Sequence, residues 1–206
     1  MSAPSTSLTA LALNCTLKPA PDESSTHVMA GQVLAALGAN GVTGEEVRVV
    51  DHDVKPGVQA DMGDGDAWPQ IRSRIQAADI LLIATPTWVG HPSSVAQRVL
   101  ERLDAELSET DDAGRPAMYG KVAVAAVVGN EDGAHKIVAD LFQALNDVGF
   151  TVPAQGSVYW NGEAMTPGDY KDLEETPEAV SSTMSTLAAN AAHLARLLKE
   201  RQYPAG

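Results

Sequence analysis

Apolar residues along the chain form five short runs, and the segments between most of them have helical spacing. Runs of this length bounded by Gly, Pro and polar residues predict β-strands, and an almost wholly apolar run predicts a strand buried on both faces. The predicted strands cover residues 8–13, 45–50, 80–84, 121–128 and 151–158.

Four of the predicted helices show apolar residues that recur on one face. These stripes are Ala30, Val33, Leu34 and Leu37; Ala96, Leu100, Leu103 and Leu107; Ile137, Leu141, Leu145 and Val148; and Leu187, Ala191, Leu194 and Leu198. Ser24 or Ser25 is the expected cap of the first helix, and the last is expected over residues 177–201. A shorter helix, capped by Asp66, is expected to end near Ala77.

Strands that alternate with helices predict an α/β fold with a doubly wound parallel sheet and helices on both faces. We expect the strand order 2-1-3-4-5, with residues 1–206 forming a single domain. In that order the first and third strands flank a topological switch point. The loops after these strands therefore face one crevice, where a ligand would bind.

The chain carries a net charge of −13, from 14 basic and 27 acidic residues. This balance argues against a nucleic-acid partner, which requires clustered Lys and Arg. The single cysteine, Cys15, excludes an internal disulfide and a multi-cysteine metal site. No basic residue precedes Lys18, and the first apolar run is too short for a signal peptide or a membrane span. We therefore expect a cytoplasmic protein with no membrane partner.

The loop after the first strand carries several hydroxyl groups and one cation close to a helix start. A helix N-terminus attracts anions, so this loop suits a phosphate group, although an ordinary helix cap on a surface loop is the alternative. No Walker motif and no G-x-G-x-x-G motif are present, which argues against a nucleoside triphosphate or a Rossmann-bound dinucleotide. The candidate phosphate ligands are Thr16, Lys18, Ser24, Ser25 and Thr26.

Two further loops follow the third and fourth strands. The first, Pro86-Thr87-Trp88-Val89-Gly90, offers a flat indole face and a glycine that permits close backbone approach. The second, Gly129-Asn130-Glu131-Asp132-Gly133, has two glycines that would let the backbone pass beneath a ring. Each is also compatible with a plain turn, but all three loops fall on one edge of the predicted sheet.

These three loops resemble those of the flavodoxin-like NAD(P)H-dependent oxidoreductases, the FMN reductase superfamily. The resemblance covers nearly the whole chain, with Asn14-Cys15-Thr16-Leu17-Lys18 and Ser25-Thr26 matching the segment that binds the FMN phosphate. Leu17 departs from the family, which often has Pro there. The resemblance implies FMN as cofactor, bound by Asn14, Thr16, Lys18, Ser24, Ser25, Thr26, Pro86, Thr87, Trp88, Val89, Gly90, Gly129, Asn130 and Gly133.

The resemblance also implies a function. Hydride passes from NAD(P)H to the flavin and then to a small-molecule acceptor such as a quinone, an azo or nitro compound, or free flavin. No protein side chain is required as a catalyst, because the flavin carries the chemistry. The family further implies a homodimer or homotetramer. His91, Tyr159 and Trp160 follow predicted strands at the same sheet edge and are the expected substrate-binding residues.

Other functions are to be compared with this one. A flavodoxin-type electron carrier without its own substrate suits the acidic charge, and a binding module that has lost its flavin is also compatible with the pattern. A tyrosine phosphatase would need Arg at position 21, where Pro21 stands. A calcium loop that starts at Asp64 would need Glu at position 75, which is Ile75. No metal site is expected, and His135 is either near the ligand or an ordinary surface residue.

Overall fold

Buried apolar strands form the centre of the molecule in this computed structural model, which describes residues 7–205. The strands are β1 Leu8–Asn14, β2 Val42–Arg48, β3 Ile80–Trp88, β4 His91–Pro92, β5 Val122–Gly129 and β6 Ser157–Asn161. The five longer strands are parallel in the order β2-β1-β3-β5-β6, and the short β4 pairs antiparallel with β3. This arrangement confirms the predicted 2-1-3-4-5 order.

Within residues 7–205, five α-helices cover the two faces of the sheet. They are α1 Ser25–Ala39, α2 Trp68–Ala77, α3 Ser94–Leu103, α4 Ala134–Val148 and α5 Glu178–Glu200. Buried residues of α1 and α5 form one apolar cluster with the sheet, and those of α2, α3 and α4 form another on the opposite face. Strand β1 contributes to both clusters, because successive side chains point to opposite faces of a sheet.

Two predicted strands were misplaced. The second was expected at residues 45–50 but runs from Val42 to Arg48, and a 3₁₀ turn follows at Val49–Asp51. It is an edge strand whose polar residues are exposed, so its apolar content is low. The fifth was expected at residues 151–158, yet Thr151 forms only an isolated bridge and the strand begins at Ser157. Pro153 interrupts that stretch, because proline cannot donate to a sheet ladder.

The apolar face predicted for α3 was wrong at its end. Helix α3 ends at Leu103, and a 3₁₀ segment, Asp104–Ser108, follows. A 3₁₀ turn has three residues rather than 3.6, so it rotates Leu107 out of the apolar stripe, and this side chain is 59% exposed. Glu106 is buried instead, and its carboxylate pairs with the Arg72 guanidinium.

A buried ion pair holds the long acidic loop, residues 52–67, against α3. Asp66 was predicted to cap α2, but the cap position is Ala67. The Asp66 carboxylate accepts a hydrogen bond from Trp68 N and pairs with Arg102 at 2.8 Å, with both charged side chains fully buried. Burial alone would raise the pKa of Asp66, but hydrogen bonds from Arg102 and from backbone amides outweigh it, so the pKa lies well below its usual range.

Within residues 7–205, none of the helices combines the length and the hydropathy needed to cross a membrane.

Candidate functional site

A cavity of about 440 Å³ opens at the carboxyl ends of β1, β3 and β5. Its volume lies in the range typical of small-molecule sites. All three loops that the sequence singled out contribute to it, together with the segment after β6. The lining residues are Thr16, Leu17, Lys18, Ser24, Ser25, Thr26, Pro86, Thr87, Trp88, Val89, Val128, Gly129, Asn130, Glu131, Ala164, Met165 and Asp169.

Hydroxyl groups at the start of α1 form one end of this cavity. Ser24 is the N-cap of α1, and its Oγ accepts a hydrogen bond from His27 N. The same hydroxyl donates to Thr16 Oγ1 at 3.0 Å, and Thr16 Oγ1 also accepts from Lys18 N. The loop after β1 and the helix start are therefore held together. The first amides of a helix have no intrahelical partner, so this end of the cavity can accept an anion.

Asn14 shapes the first loop from behind and does not line the cavity. It is fully buried at the end of β1. Its Oδ1 accepts a hydrogen bond from Thr16 N at 3.1 Å, and its Nδ2 donates to Glu46 Oε1 at 2.7 Å. Asn14 thus fixes the backbone turn that presents Thr16 to the cavity.

The second loop is a β-hairpin, although the sequence predicted an irregular segment after a strand ending at Ala84. Strand β3 continues to Trp88, which pairs with His91 of β4. Val89 and Gly90 form the two-residue turn, with φ of 53° and 71°. Positive φ at both central residues is the geometry of a type I′ turn, which favours Asn or Gly over Val. The hairpin projects Trp88 and Val89 to the cavity mouth, where they are 53% and 85% exposed.

Thr87 and Gly129 meet at the floor of the cavity. A Cβ at Gly129 would lie 2.7 Å from Thr87 Cβ, so the contact between β3 and β5 requires glycine there. Thr87 is 4% exposed, and its Oγ1 is buried with no hydrogen-bond partner in the described chain. A buried hydroxyl without a partner is costly to the free energy of folding.

The third loop packs against the hairpin and against the segment after β6. Gly133 has φ 125°, and a Cβ there would lie 2.8 Å from Gly90 Cα. These two glycines set the spacing of the loops but are not among the lining residues. Asn130 lines the cavity, and its Nδ2 donates to Asp169 Oδ1 at 3.0 Å.

The three expected substrate-binding residues lie outside the cavity lining. His91 Nδ1 lies 2.7 Å from Val89 O, within the hairpin turn. Tyr159 forms a hydrogen bond with the ring of His135 at 3.1 Å. Trp160 packs against Tyr170, with ring centroids 5.5 Å apart. The structure therefore places these side chains around the site and not among the groups that line it.

Six lining residues were missed by the sequence reasoning: Leu17, Val128, Glu131, Ala164, Met165 and Asp169. Leu17, Val128 and Glu131 lie within or next to the predicted loops. The expectation that loops at the carboxyl ends of parallel strands form the site therefore covers them as well. Ala164, Met165 and Asp169 lie in the irregular segment after β6, where the sequence has neither periodicity nor a motif. Only the chain path brings that segment over the cavity.

Cys15 follows β1 but does not face the cavity. It is fully buried, and burial raises the pKa of its thiol well above the ordinary value. Its backbone N–H donates to Ala84 O at 2.8 Å, which ties the first loop to β3. The residue is a packing element, because a reactive cysteine needs an accessible thiolate.

A family model for NADPH-dependent FMN reductases matches residues 8–164, a stretch that contains all three loops. The chain belongs to this family. FMN is therefore the expected flavin cofactor of this chain, and the two ends of the cavity fit FMN. One end has hydroxyls and helix amides for a phosphate, while the other is a slot lined by Trp88, Val128 and Gly129.

Two curated relatives are similar over most of this chain. The first is 8-demethyl-8-aminoriboflavin-5'-phosphate synthase of Streptomyces davaonensis, 34% identical, with 95% of this chain and 80% of the relative covered. The second, divalent metal cation transporter MntH of Mycobacterium bovis, is also 34% identical over 93% of this chain. The match spans only 29% of that longer protein, so the similarity concerns one part of it.

Solved structures place the fold among flavoproteins. A crystal structure of RosB with bound intermediate 8-demethyl-8-formylriboflavin-5'-phosphate has a TM-score of 0.86 and 33% identity, over 95% of this chain and 82% of that one. An archaeal flavodoxin has a TM-score of 0.58 at 9% identity, over 92% and 99% of the two chains. The apo form of the NADH:FMN oxidoreductase EMOB has 0.58 at 21%, over 92% and 89%. The last two similarities concern the fold alone.

Proposed function

We propose that this protein is an FMN-dependent NAD(P)H oxidoreductase that reduces a small-molecule acceptor. The observation that supports it best is that three loops, all within the family-matched stretch, enclose one cavity of about 440 Å³. Flavin supplies the redox chemistry when it is bound, and the side chains bind and orient it. The described lining residues do not include a catalytic nucleophile next to a general base, which is compatible with this role.

The phosphate end of the cavity would be built by the start of α1. In this proposal the hydroxyls of Thr16 and Ser25 and the amides of α1 donate to the FMN phosphate, and Lys18 adds a positive charge. Asn14 and Ser24 act by holding Thr16 in place, as their hydrogen bonds suggest. A carboxylate could not replace these groups, because it would repel the phosphate.

The ring end would be built by the hairpin and by the loop after β5. Trp88 and Pro86 would flank the flavin ring, and Thr87 would lie beside its polar edge. Gly129 and Asn130 would pass beneath the ring. A larger residue at position 129 would collide with Thr87 and so could not take this place. Gly90 and Gly133 would set the distance between the two loops that hold the ring.

An absorbance spectrum of the purified protein tests this proposal. We expect a flavin spectrum with about one FMN per chain, prompt bleaching by NADPH or NADH without oxygen, and recovery when a quinone is added. Lys18→Gln should weaken FMN binding about tenfold, since charge-assisted bonds to phosphate are among the stronger ones. Lys136→Gln, which changes an exposed lysine on α4, is the control with the same loss of charge.

A protein that stays colourless when FMN is added would contradict the proposal. Reduction only by a separate reductase would favour the alternative of a flavodoxin-type electron carrier. The homodimer or homotetramer and the cytoplasmic location stay predictions, which gel filtration with light scattering and cell fractionation would test.

A second function is favoured by the curated relative from Streptomyces davaonensis. That protein is named as a synthase of 8-demethyl-8-aminoriboflavin-5'-phosphate, so its product is a modified flavin phosphate. If this chain acted likewise, FMN would be consumed in a reaction that alters the ring. Mass spectrometry of flavin recovered after incubation with oxygen and amino donors separates the two functions. Unchanged FMN after many turnovers supports the oxidoreductase.

A further inference from the structure

Two turn tips border the mouth of the cavity, and each carries an exposed apolar side chain. Val89 is at the tip of the β3–β4 hairpin, and Met165 is in the turn in which Glu163 O accepts from Thr166 N. Both have positive φ, 53° and 67°, and both are largely in solvent, at 85% and 101% exposure. This conformation is costly for a residue other than glycine, and more so for a β-branched one.

The two tips belong to a larger apolar rim, which consists of Leu17, Trp88, Val89 and Met165. All four side chains line the cavity, and Leu17 and Trp88 are 43% and 53% exposed. An exposed apolar patch around a cavity is typical of a ligand site, because water is displaced from it on binding. Because these side chains are partly exposed to solvent, they can contact a second molecule at the cavity mouth.

Charge is distributed unevenly around the mouth. Of the described lining residues, Lys18, Glu131 and Asp169 carry a charge. Lys18 is on the first loop, at the end where the hydroxyls cluster. The Glu131 carboxylate lies 3.4 Å from Gly90 N, beside the hairpin tip, and Asp169 binds Asn130. The two acidic groups therefore lie towards the hairpin and the third loop, in a chain with a net charge of −13.

We infer that the acceptor is a planar aromatic molecule without negative charge, which stacks on the apolar rim beside Trp88 and is selected against anions by Glu131. This inference rests on the proposed function and specifies its acceptor. Neutral and cationic quinones or azo compounds fit the rim, whereas sulfonated or carboxylated ones meet the Glu131 carboxylate.

The selection against anions is tested by measuring kcat/KM for three naphthoquinones that differ in charge: one neutral, one sulfonated and one with a quaternary ammonium group. Each is compared between wild type, Glu131→Gln and Asp132→Asn, so that the intrinsic reactivity of each quinone cancels in the ratio. Asp132 is the matched control, since it is the neighbouring carboxylate and does not line the cavity. Two unit charges a few ångströms apart near a surface interact strongly enough to change binding by about five- to tenfold.

We expect Glu131→Gln to raise kcat/KM for the sulfonate about fivefold, to leave the neutral quinone within twofold, and to lower the value for the cation. Asp132→Asn should change each value by less than twofold. An equal effect of the two substitutions would overturn the role of Glu131. A wild-type preference for the sulfonate over the cation, after correction for their rates with free reduced FMN, would overturn the inference as a whole.

The apolar rim is tested by Val89→Asn, which places a residue suited to the left-handed turn at the tip. We expect a higher Tm, because the backbone cost is relieved, together with a several-fold weaker binding of the neutral quinone. Binding to the oxidised, FMN-loaded protein is measured from the perturbation of the flavin absorbance, so this readout does not depend on turnover. Val58→Asn, at another exposed valine, is the control.

Unchanged quinone binding in Val89→Asn would overturn the rim as the acceptor site. Failure of the proposed function has a different signature, because the wild type would then bind no FMN or would not be bleached by a nicotinamide.

Discussion

The Ser93 hydroxyl donates a hydrogen bond of 2.6 Å to the backbone carbonyl of Cys15. The two residues are 78 positions apart, and the bond joins the loop after β1 to the N-cap of α3. Ser93 Oγ also accepts from Ala96 N at 3.1 Å, so one buried hydroxyl caps a helix and anchors the phosphate-side loop. The loop after β1 is therefore held against the start of α3, which follows the hairpin.

Ser93→Ala removes the hydrogen bonds of that hydroxyl to Cys15 O and from Ala96 N, together with a longer one from Thr85 Oγ1. We expect a loss of about 1–2 kcal/mol in the free energy of unfolding, as for other N-cap serines. FMN affinity should fall several-fold, because the Ser93 hydroxyl no longer anchors the Cys15 carbonyl and, with it, the loop that carries Thr16 and Lys18. Denaturant unfolding of the apoprotein and a flavin titration measure the two effects. Ser94→Ala, at the exposed neighbouring residue, should change neither.

Thr87→Val keeps the shape of the side chain and removes its unpartnered hydroxyl. The apoprotein should become more stable by about 1 kcal/mol, because a buried polar group without a partner is costly. FMN affinity should change by less than about twofold, because the hydroxyl oxygen is buried from the cavity as well as from solvent. A large loss of FMN affinity without a change in stability would contradict this account.

Gly129→Ala tests the close approach of β3 and β5. The added Cβ would lie 2.7 Å from Thr87 Cβ, which is attached to the backbone and has little freedom to move. We expect a loss of about 1–3 kcal/mol in stability, together with weaker flavin binding. Gly31→Ala is the control, because no atom lies within 4 Å of its added Cβ and alanine favours a helix. It should stabilise α1 by about 0.5–1 kcal/mol.

Asp66→Asn tests the buried ion pair with Arg102 and its dependence on pH. The folded-state pKa of Asp66 lies below its unfolded value of about 3.9, so its contribution to stability is present above that value and is lost as the pH falls through the acid range. At pH 7 we expect the variant to lose about 3 kcal/mol or more, because Arg102 stays buried without a counter-charge.

The difference in stability between wild type and Asp66→Asn should shrink as the pH falls below about 4. Chemical denaturation across pH 3–7 measures it, with Asp64→Asn, an exposed residue of the same loop, as the control. A difference that stays constant with pH would contradict the ion-pair account. FMN affinity at pH 7 should be unaffected, because Asp66 lies outside the cavity lining.

The strand order and the location of the cavity were accessible from the sequence because they depend on local pattern. The apolar run Val122–Gly129 has the length and composition of a strand buried on both faces, and helices that alternate with strands favour parallel pairing. Given that order, the loops after β1, β3 and β5 must open on one edge. Most of the expected cofactor residues do line the cavity there, while Asn14, Gly90 and Gly133 lie behind or beside it.

Other features were decided only by tertiary structure. Pro86 and Thr87 read as loop residues, yet pairing with β5 and with β4 extends β3 to Trp88. Leu107 fits a helical stripe. The ion pair of Arg72 with the buried Glu106 carboxylate instead favours a 3₁₀ turn, which exposes Leu107. Met165 and Asp169 reach the cavity because the chain after β6 folds back over it, and no local pattern encodes that path.

The sequence by itself determined the doubly wound sheet, the family and the sheet edge at which the cavity opens, since each depends on periodicity or on short motifs. Tertiary structure decided which side chains meet there: the Ser93–Cys15 link, the Thr87–Gly129 contact and the rim of Val89 and Met165. Such contacts depend on distances between segments far apart in the chain, and those distances are set only when the whole core has packed.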